Sequence, residues 1–150
     1  MSDLVRLIEQ AKASGNYATF IDAIPYARWL GIGAEVVDGD LLGKLTFSDP
    51  LIGNPVIPAL HGGTIGALLE STAIFKLFWE AETVFIPKTI NLTVEYLRSG
   101  RAADTWARAF ITKHGRRVAS VRVEAWQEDR TRPIASGAVN LLITPLEERR

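Results

Sequence analysis

One segment decides most of what this chain can fold into: PALHGGTIGALLESTAIFKLFW, residues Pro58 to Trp79. From about Gly62 it is apolar for a helix length, interrupted among charged residues only by Glu70 and Lys76. A helix apolar almost all round must be wrapped on most sides. The rest of the chain has to supply that cover, and its period shows of what kind. Residues 88–97 alternate, with Ile90, Leu92, Val94 and Tyr96 on one face and Thr89, Asn91, Thr93 and Glu95 on the other, as in a half-buried strand. Ser99-Gly100 turns the chain. Residues 104–112 and 117–127 then flank a hairpin turn at Lys113-His114-Gly115-Arg116, and a last strand runs from about Ile134 to Thr144.

Ahead of the long helix the pattern is mixed. Residues 3–12 space Leu4, Leu7, Ile8 and Ala11 as a helix does, and Ser14-Gly15-Asn16 stops it. A second helix is predicted from about Tyr17 to Leu30, kinked or split at Pro25. Val36 and Val37 lead into Asp38-Gly39, a dipeptide suited to a tight hairpin, and Leu41 to Phe47 returns. Three prolines and a Gly-Asn pair make Asp49 to Pro58 an irregular loop. The order is two small helices, a hairpin, a long buried helix and four strands, an α+β class with an antiparallel sheet packed on a central helix. At 150 residues the simplest organisation is one domain, with N-terminal helices over 1–30 and a core over 31–146. A curved sheet plus a partner subunit would wrap the helix, so at least a dimer is expected.

Composition excludes several chemistries. Lys plus Arg equals Asp plus Glu, 17 each, which gives no general attraction to nucleic acid or a membrane surface. Without cysteine there is no disulfide, thiolate nucleophile or Cys-ligated zinc, and with only His61 and His114 a histidine-built metal site is not expected. The N-terminal MSDLVRLIEQ has acids early and does not read as a signal peptide. No uncharged run approaches the ~20 residues of a membrane span, and the expected location is the cytoplasm.

Glu70 is the anomaly. Its helical neighbours three, four and seven positions away are Gly63, Gly66, Ala67, Ala73, Ile74 and Leu77, none of them polar. Lys76, six positions on, points elsewhere. Burying an unpaired carboxylate is costly. Glu70 is therefore either paired with a cation from another element or set in a cleft as a catalytic base or nucleophile. Gly62, Gly63 and Gly66 bear on the choice, because each costs about 0.5–1 kcal/mol relative to alanine in a helix. They permit close packing at the helix start, or they leave its N–H groups and positive dipole end open to an oxygen. An end of that kind can stabilise a developing oxyanion.

LHGGTIGALLE followed by TINLTVEYLRSG resembles the hotdog-fold acyl-CoA thioesterases, in particular the phenylacetate-degradation and 4-hydroxybenzoyl-CoA thioesterase-like enzymes. The resemblance runs from about Leu30 to Leu146. It implies a long helix wrapped by an antiparallel sheet, dimers or dimer-of-dimers tetramers, active sites across the dimer interface, and no metal or redox cofactor. Carried over residue by residue, the acid falls on Glu70, and the backbone that polarises the thioester carbonyl falls on His61, Gly62 and Gly63. A water-positioning hydroxyl falls on Thr89, where serine is common, and the loop asparagine is best matched by Asn54. Each has a plainer reading: Thr89 as a β-former, Asn54 as a turn residue, His61 as part of a helix cap. Coenzyme A carries phosphates, so Arg98 and Arg101 at one turn, and Lys113, Arg116 and Arg117 at another, are candidate contacts or solvated turn charges. Val56, Ile57, Leu60, Phe75, Phe78 and Trp79 are candidates for the acyl pocket or for the core. The implied activity is hydrolysis of an acyl-CoA thioester. A non-catalytic acyl-CoA binding module and a hydratase or dehydratase on the same fold are the alternatives.

Overall fold

The first helix, α1 (Asp3–Ser14), buries Ile8 and Ala11 as its spacing predicts, but its third buried residue is Val5, while the expected Leu4 and Leu7 are half-buried. The computed structural model describes residues 3–81, 85 and 87–144, so the expected core limit at Leu146 lies outside it. The second predicted helix is split into α2 (Ala18–Asp22) and α3 (Pro25–Leu30). Pro25 opens α3, where its missing N–H is no loss.

A hairpin of β1 (Ile32–Val37) and β2 (Asp40–Leu45) follows. Both residues of its turn, Asp38 at φ 51° and Gly39 at φ 77°, are left-handed, as a two-residue turn matched to strand twist requires. The stretch expected to be irregular has more order than its prolines suggest. It contains a 3-10 turn (Asp49–Leu51) and a small ribbon of β3 (Ile52–Asn54) with β4 (Ala59–Leu60). Then α4 runs from Gly62 to Glu80, 19 residues, followed by β5 (Lys88–Tyr96), β6 (Thr105–His114), β7 (Val118–Trp126) and β8 (Ala135–Leu142).

The six-stranded antiparallel sheet has the order β1-β2-β6-β7-β8-β5. Its inner face is built of small residues, Ala107, Ala109, Ala119, Ala125 and Ala135, with Val121, Val123, Val139 and Leu141, all buried. Small side chains on the sheet let the large ones of α4, among them Leu68, Leu69, Phe75 and Leu77, settle onto it. The opposite flank of α4 is covered from within the chain. Phe20 packs edge-on against Phe75 and Phe78 at 6.3 and 5.2 Å, and Tyr17 meets Trp79 at 5.7 Å. Among the described residues no helix is long and apolar enough to cross a membrane.

β5 occupies one edge, hydrogen-bonded to β8 on one side only among the described residues. Its register with β8 slips between Thr89 and Asn91.

Candidate active site

α4 begins at a cap made by its own sequence. His61 is extended (φ −62°, ψ 129°), and its Nδ1 accepts the Gly63 N–H at 2.9 Å. The His61 carbonyl accepts both the N–H of Thr64 (2.9 Å) and its hydroxyl (2.7 Å). The Gly63 N–H is therefore spent on the cap, whereas the N–H of half-buried Gly62 has no acceptor among the described residues. Of the two adjacent glycines, only the first presents an open donor at the positive end of the helix.

Two turns further along, half-buried Glu70 accepts a 2.5 Å hydrogen bond from the hydroxyl of Thr89. Strict alternation along β5 would turn Thr89 to the outer face with Asn91, Thr93 and Glu95. The register slip changes this: Thr89 pairs with Leu141, fully buried on the inner face, while Asn91 pairs with Asn140 and accepts a hydrogen bond from its amide. A bulge adds one residue to a strand and reverses the alternation beyond it. Thr89 thereby joins Leu92, Val94 and Tyr96 in facing α4, and the expected assignment of faces is corrected at that residue.

α4 packs directly on β5 along this stretch: a Cβ added at buried Gly66 would lie 3.8–3.9 Å from Tyr96, Leu92 and Val94, ordinary van der Waals contact. Tyr96 reaches across at the helix start and donates to the Gly62 carbonyl at 2.7 Å. The alternation of β5 had placed Tyr96 on the inner face, but nothing in the sequence marked it as a partner of Gly62, nor Thr64 as a partner of His61.

The remaining candidates are dispersed. Asn54 is three residues beyond the 3-10 turn whose Leu51 carbonyl accepts the His61 N–H, but its side chain is occupied by its own turn, accepting from Val56 N–H at 3.0 Å. The two arginine turns lie apart. Leu60 N–H donates to Gly100 O and Ala59 bridges to Arg101, which ties the Arg98–Arg101 turn to the chain just before His61. Arg98, Arg101 and Arg132 line a cleft of about 300 Å³ there, together with Glu128 and Asp129. Arg101 is paired with Glu128 at 2.6 Å, and Arg98 donates to the Pro133 carbonyl at 2.7 Å. Lys113 lies in the last residues of β6, where the expected turn is still strand, and Arg116 and Arg117 form the β6–β7 turn; this end neighbours the far end of α4 through Phe78, Phe85 and His114, with ring centroids 6.1 Å apart at each step.

The acyl-wall candidates also divide. Phe75 and Phe78 are core residues against Phe20, and Leu60 is buried, whereas Val56 and Ile57 are 86% and 57% exposed.

Comparison with known proteins gives the arrangement a family. Residues 58–134, which include the helix start, Glu70 and Thr89, match the profile of the Thioesterase superfamily. The medium/long-chain acyl-CoA thioesterase YigI of Salmonella typhimurium is 30% identical over 125 residues, covering 73% of this chain and 80% of its own. Among solved structures, a protein of Chromobacterium violaceum superposes with a TM-score of 0.76 at 36% identity, over 94% of this chain and 98% of its own. A phenylacetic acid degradation-related protein of Ralstonia eutropha superposes at 0.70 with 26% identity, over 79% and 89%. The antiparallel sheet around a long central helix is the hotdog fold, and this chain belongs to the Thioesterase superfamily, a family of thioester hydrolases.

Proposed function

We propose that this protein hydrolyses acyl-CoA thioesters to the free acid and CoA, with Glu70 as the catalytic carboxylate and the Gly62 N–H as the donor to the carbonyl oxygen. The observation that carries the reading is the pair of groups on one helix: an open backbone N–H at its start, and a carboxylate hydrogen-bonded by Thr89 two turns further on. The medium/long-chain acyl-CoA thioesterase named among the relatives supports the substrate class.

In the general-base route, water bound to Glu70 attacks the thioester carbon and its proton passes to the carboxylate. Charge gathers on the carbonyl oxygen, opposite the Gly62 N–H and the helix dipole. The C–S bond then breaks, and the thiolate recovers the proton from Glu70. In the nucleophilic route, Glu70 attacks first, the thiolate leaves, and water opens the resulting anhydride. Thr89 serves both routes by fixing one carboxylate oxygen and leaving the other free.

The same residues support a shared site. Gly62 and Glu70 are eight positions apart, about 12 Å along a helix axis. A reacting carbonyl needs contacts of about 3–3.5 Å with its attacking group and with its donor. One chain falls short of that span, whereas a twofold dimer can set Glu70 of one copy opposite Gly62 of the other. Edge strand β5, which carries Thr89 beside Glu70, is the surface for such pairing. For the CoA phosphates, the geometry favours Arg98 and Arg101, aided by Arg132, because their cleft adjoins the helix start.

The decisive experiment is a hydrolysis screen over short, medium, long and aromatic acyl-CoAs with wild type and Glu70→Gln. The variant is expected to bind substrate and to lose roughly 10²–10⁴ in kcat. Near wild-type turnover in Glu70→Gln would remove Glu70 from the chemistry. Single turnover in ¹⁸O-water separates the routes, since only the anhydride can leave label in Glu70.

A further inference from the structure

Gly62 should be among the least constrained residues of the chain, because glycine lacks the side chain that restricts φ and ψ. In this protein it is held from both sides. A peptide unit is planar, so the Gly62 N–H is rigidly coupled to the His61 carbonyl. That carbonyl receives two hydrogen bonds from Thr64, one from its N–H and one from its hydroxyl. The following unit, the Gly62 carbonyl with the Gly63 N–H, is also fixed at both ends, by the Tyr96 hydroxyl at 2.7 Å and by His61 Nδ1 at 2.9 Å. The Tyr96 ring lies so close that a Cβ on Gly62 would come within 3.1 Å of it.

We propose that Thr64 and Tyr96 are positioning residues for the Gly62 N–H: Thr64 aims and polarises it through the His61 carbonyl, and Tyr96 fixes the following peptide unit so that Gly62 cannot turn the donor away. The proposal rests on the reading of Gly62 as the oxyanion donor. Two physical effects carry it. Hydrogen bonds to a carbonyl draw charge through the amide, so its N–H becomes a stronger donor. Preorganised donors stabilise a transition state without reorienting during the reaction, and misalignment forfeits that gain. The Gly63 N–H cannot substitute, because the cap consumes it.

The test uses the full-length protein with Thr64→Val, Thr64→Ser and Tyr96→Phe. Deleting a whole oxyanion donor costs about 10²–10³ in kcat, so loosening one is expected to cost roughly 5- to 50-fold in Thr64→Val and in Tyr96→Phe. KM and the affinity for a non-hydrolysable thioether analogue should stay within about twofold, because the contact strengthens only in the transition state. Thr64→Ser restores the hydroxyl and should return to within about threefold of wild type. The double variant should lose less than the product of the single losses, since both act through one N–H. The ¹H–¹⁵N resonance of Gly62 should move in Thr64→Val and in Tyr96→Phe.

Wild-type kcat in Thr64→Val and Tyr96→Phe, or losses confined to KM, would overturn the clamp while leaving the thioesterase reading intact. A wild-type protein that hydrolyses no acyl-CoA would overturn that reading instead, and the Gly62 resonance then decides the clamp: an unmoved resonance sinks it. Because Thr64 and Tyr96 sit on different elements, misfolding of one variant leaves the other decisive.

Discussion

Thr89 is an exposed hydroxyl at the start of an edge strand, a position where threonine ordinarily serves only as a β-former. Its 2.5 Å bond to Glu70 gives it a second role, and the bulge behind it is the cause. Hydrogen bonds to charged groups contribute about 1.5–3 kcal/mol, so loss of this one should be visible in rate as well as in stability. Thr89→Val keeps the shape and strand propensity. Its kcat should fall roughly tenfold or more with KM little changed, and Thr89→Ser should stay near wild type. Equal rates for Val, Ser and Thr at this position would return Thr89 to the surface.

At the scale of elements, α4 treats its two internal charges oppositely. Glu70 is half-buried and faces Thr89 on β5, whereas Lys76 is buried (7% exposed) against Asp40 Oδ1 at 2.5 Å and Glu80 at 2.7 Å. Arg108 Nε lies 2.5 Å from Asp40 Oδ2, a second cation on the same carboxylate. The cluster joins β2, α4 and β6. Burial pushes the Asp40 carboxyl up, but Lys76 and Arg108 outweigh it and hold the pKa below the usual carboxylate range. Burial likewise pushes the Lys76 ammonium down, and Asp40 and Glu80 outweigh it in the other direction. The signs follow from linkage. The contribution of Asp40 is present above its unfolded pKa of about 3.9 and is lost as pH falls through the lower folded value. That of Lys76 is complete below about pH 10.4 and is lost as pH rises through its higher folded value. Asp40→Asn should cost about 3 kcal/mol at pH 7, the low end for a buried pair because Glu80 still serves Lys76. Urea unfolding from pH 3 to 8 checks this: an unchanged acid slope in the variant would rule out Asp40 as its source.

For the whole molecule the question is what covers the open edge of the sheet. β5 is nine residues long and carries Ile90 at 54% and Tyr96 at 56% exposure, with Leu97 just beyond at 49%. A long apolar edge of this kind invites pairing with another strand. A second copy would satisfy it through a self-complementary twofold contact, the arrangement that the proposed shared site requires. Light scattering should report at least twice the 16.5 kDa of one chain. Complementation gives the sharper test. Gly62→Pro removes the proposed donor at the first helix position, where a missing N–H is no loss to the helix although the Tyr96 ring must shift to admit the new side chain, and Glu70→Gln removes the acid. Each alone should be inactive. Mixed and reassociated, they should recover about a quarter of wild-type activity, because half the dimers are mixed and each mixed dimer keeps one intact site. No recovery from demonstrably mixed dimers would place both groups in one chain.

Local rules of spacing determined the elements themselves. The 3.6-residue and two-residue periods, the Asp38-Gly39 turn and the break at Pro25 are properties of neighbours along the chain, and the apolar run of α4 alone required a wrapping sheet. The family resemblance was legible for the same reason, since the His61–Glu70 segment is contiguous. Everything that depends on neighbours in space had to wait for the fold. Pairing with β8, rather than any feature of its own sequence, turns Thr89 toward Glu70. Cap formation by His61 decides which of two identical N–H groups stays open. The N-terminal helices, whose packing partner no local pattern names, claim Phe75 and Phe78 for the core and leave the Glu70 side of α4 to β5. A sequence specifies which side chains alternate, but only the paired strand specifies where the alternation slips, and in this protein the slip is what brings the hydroxyl to the carboxylate.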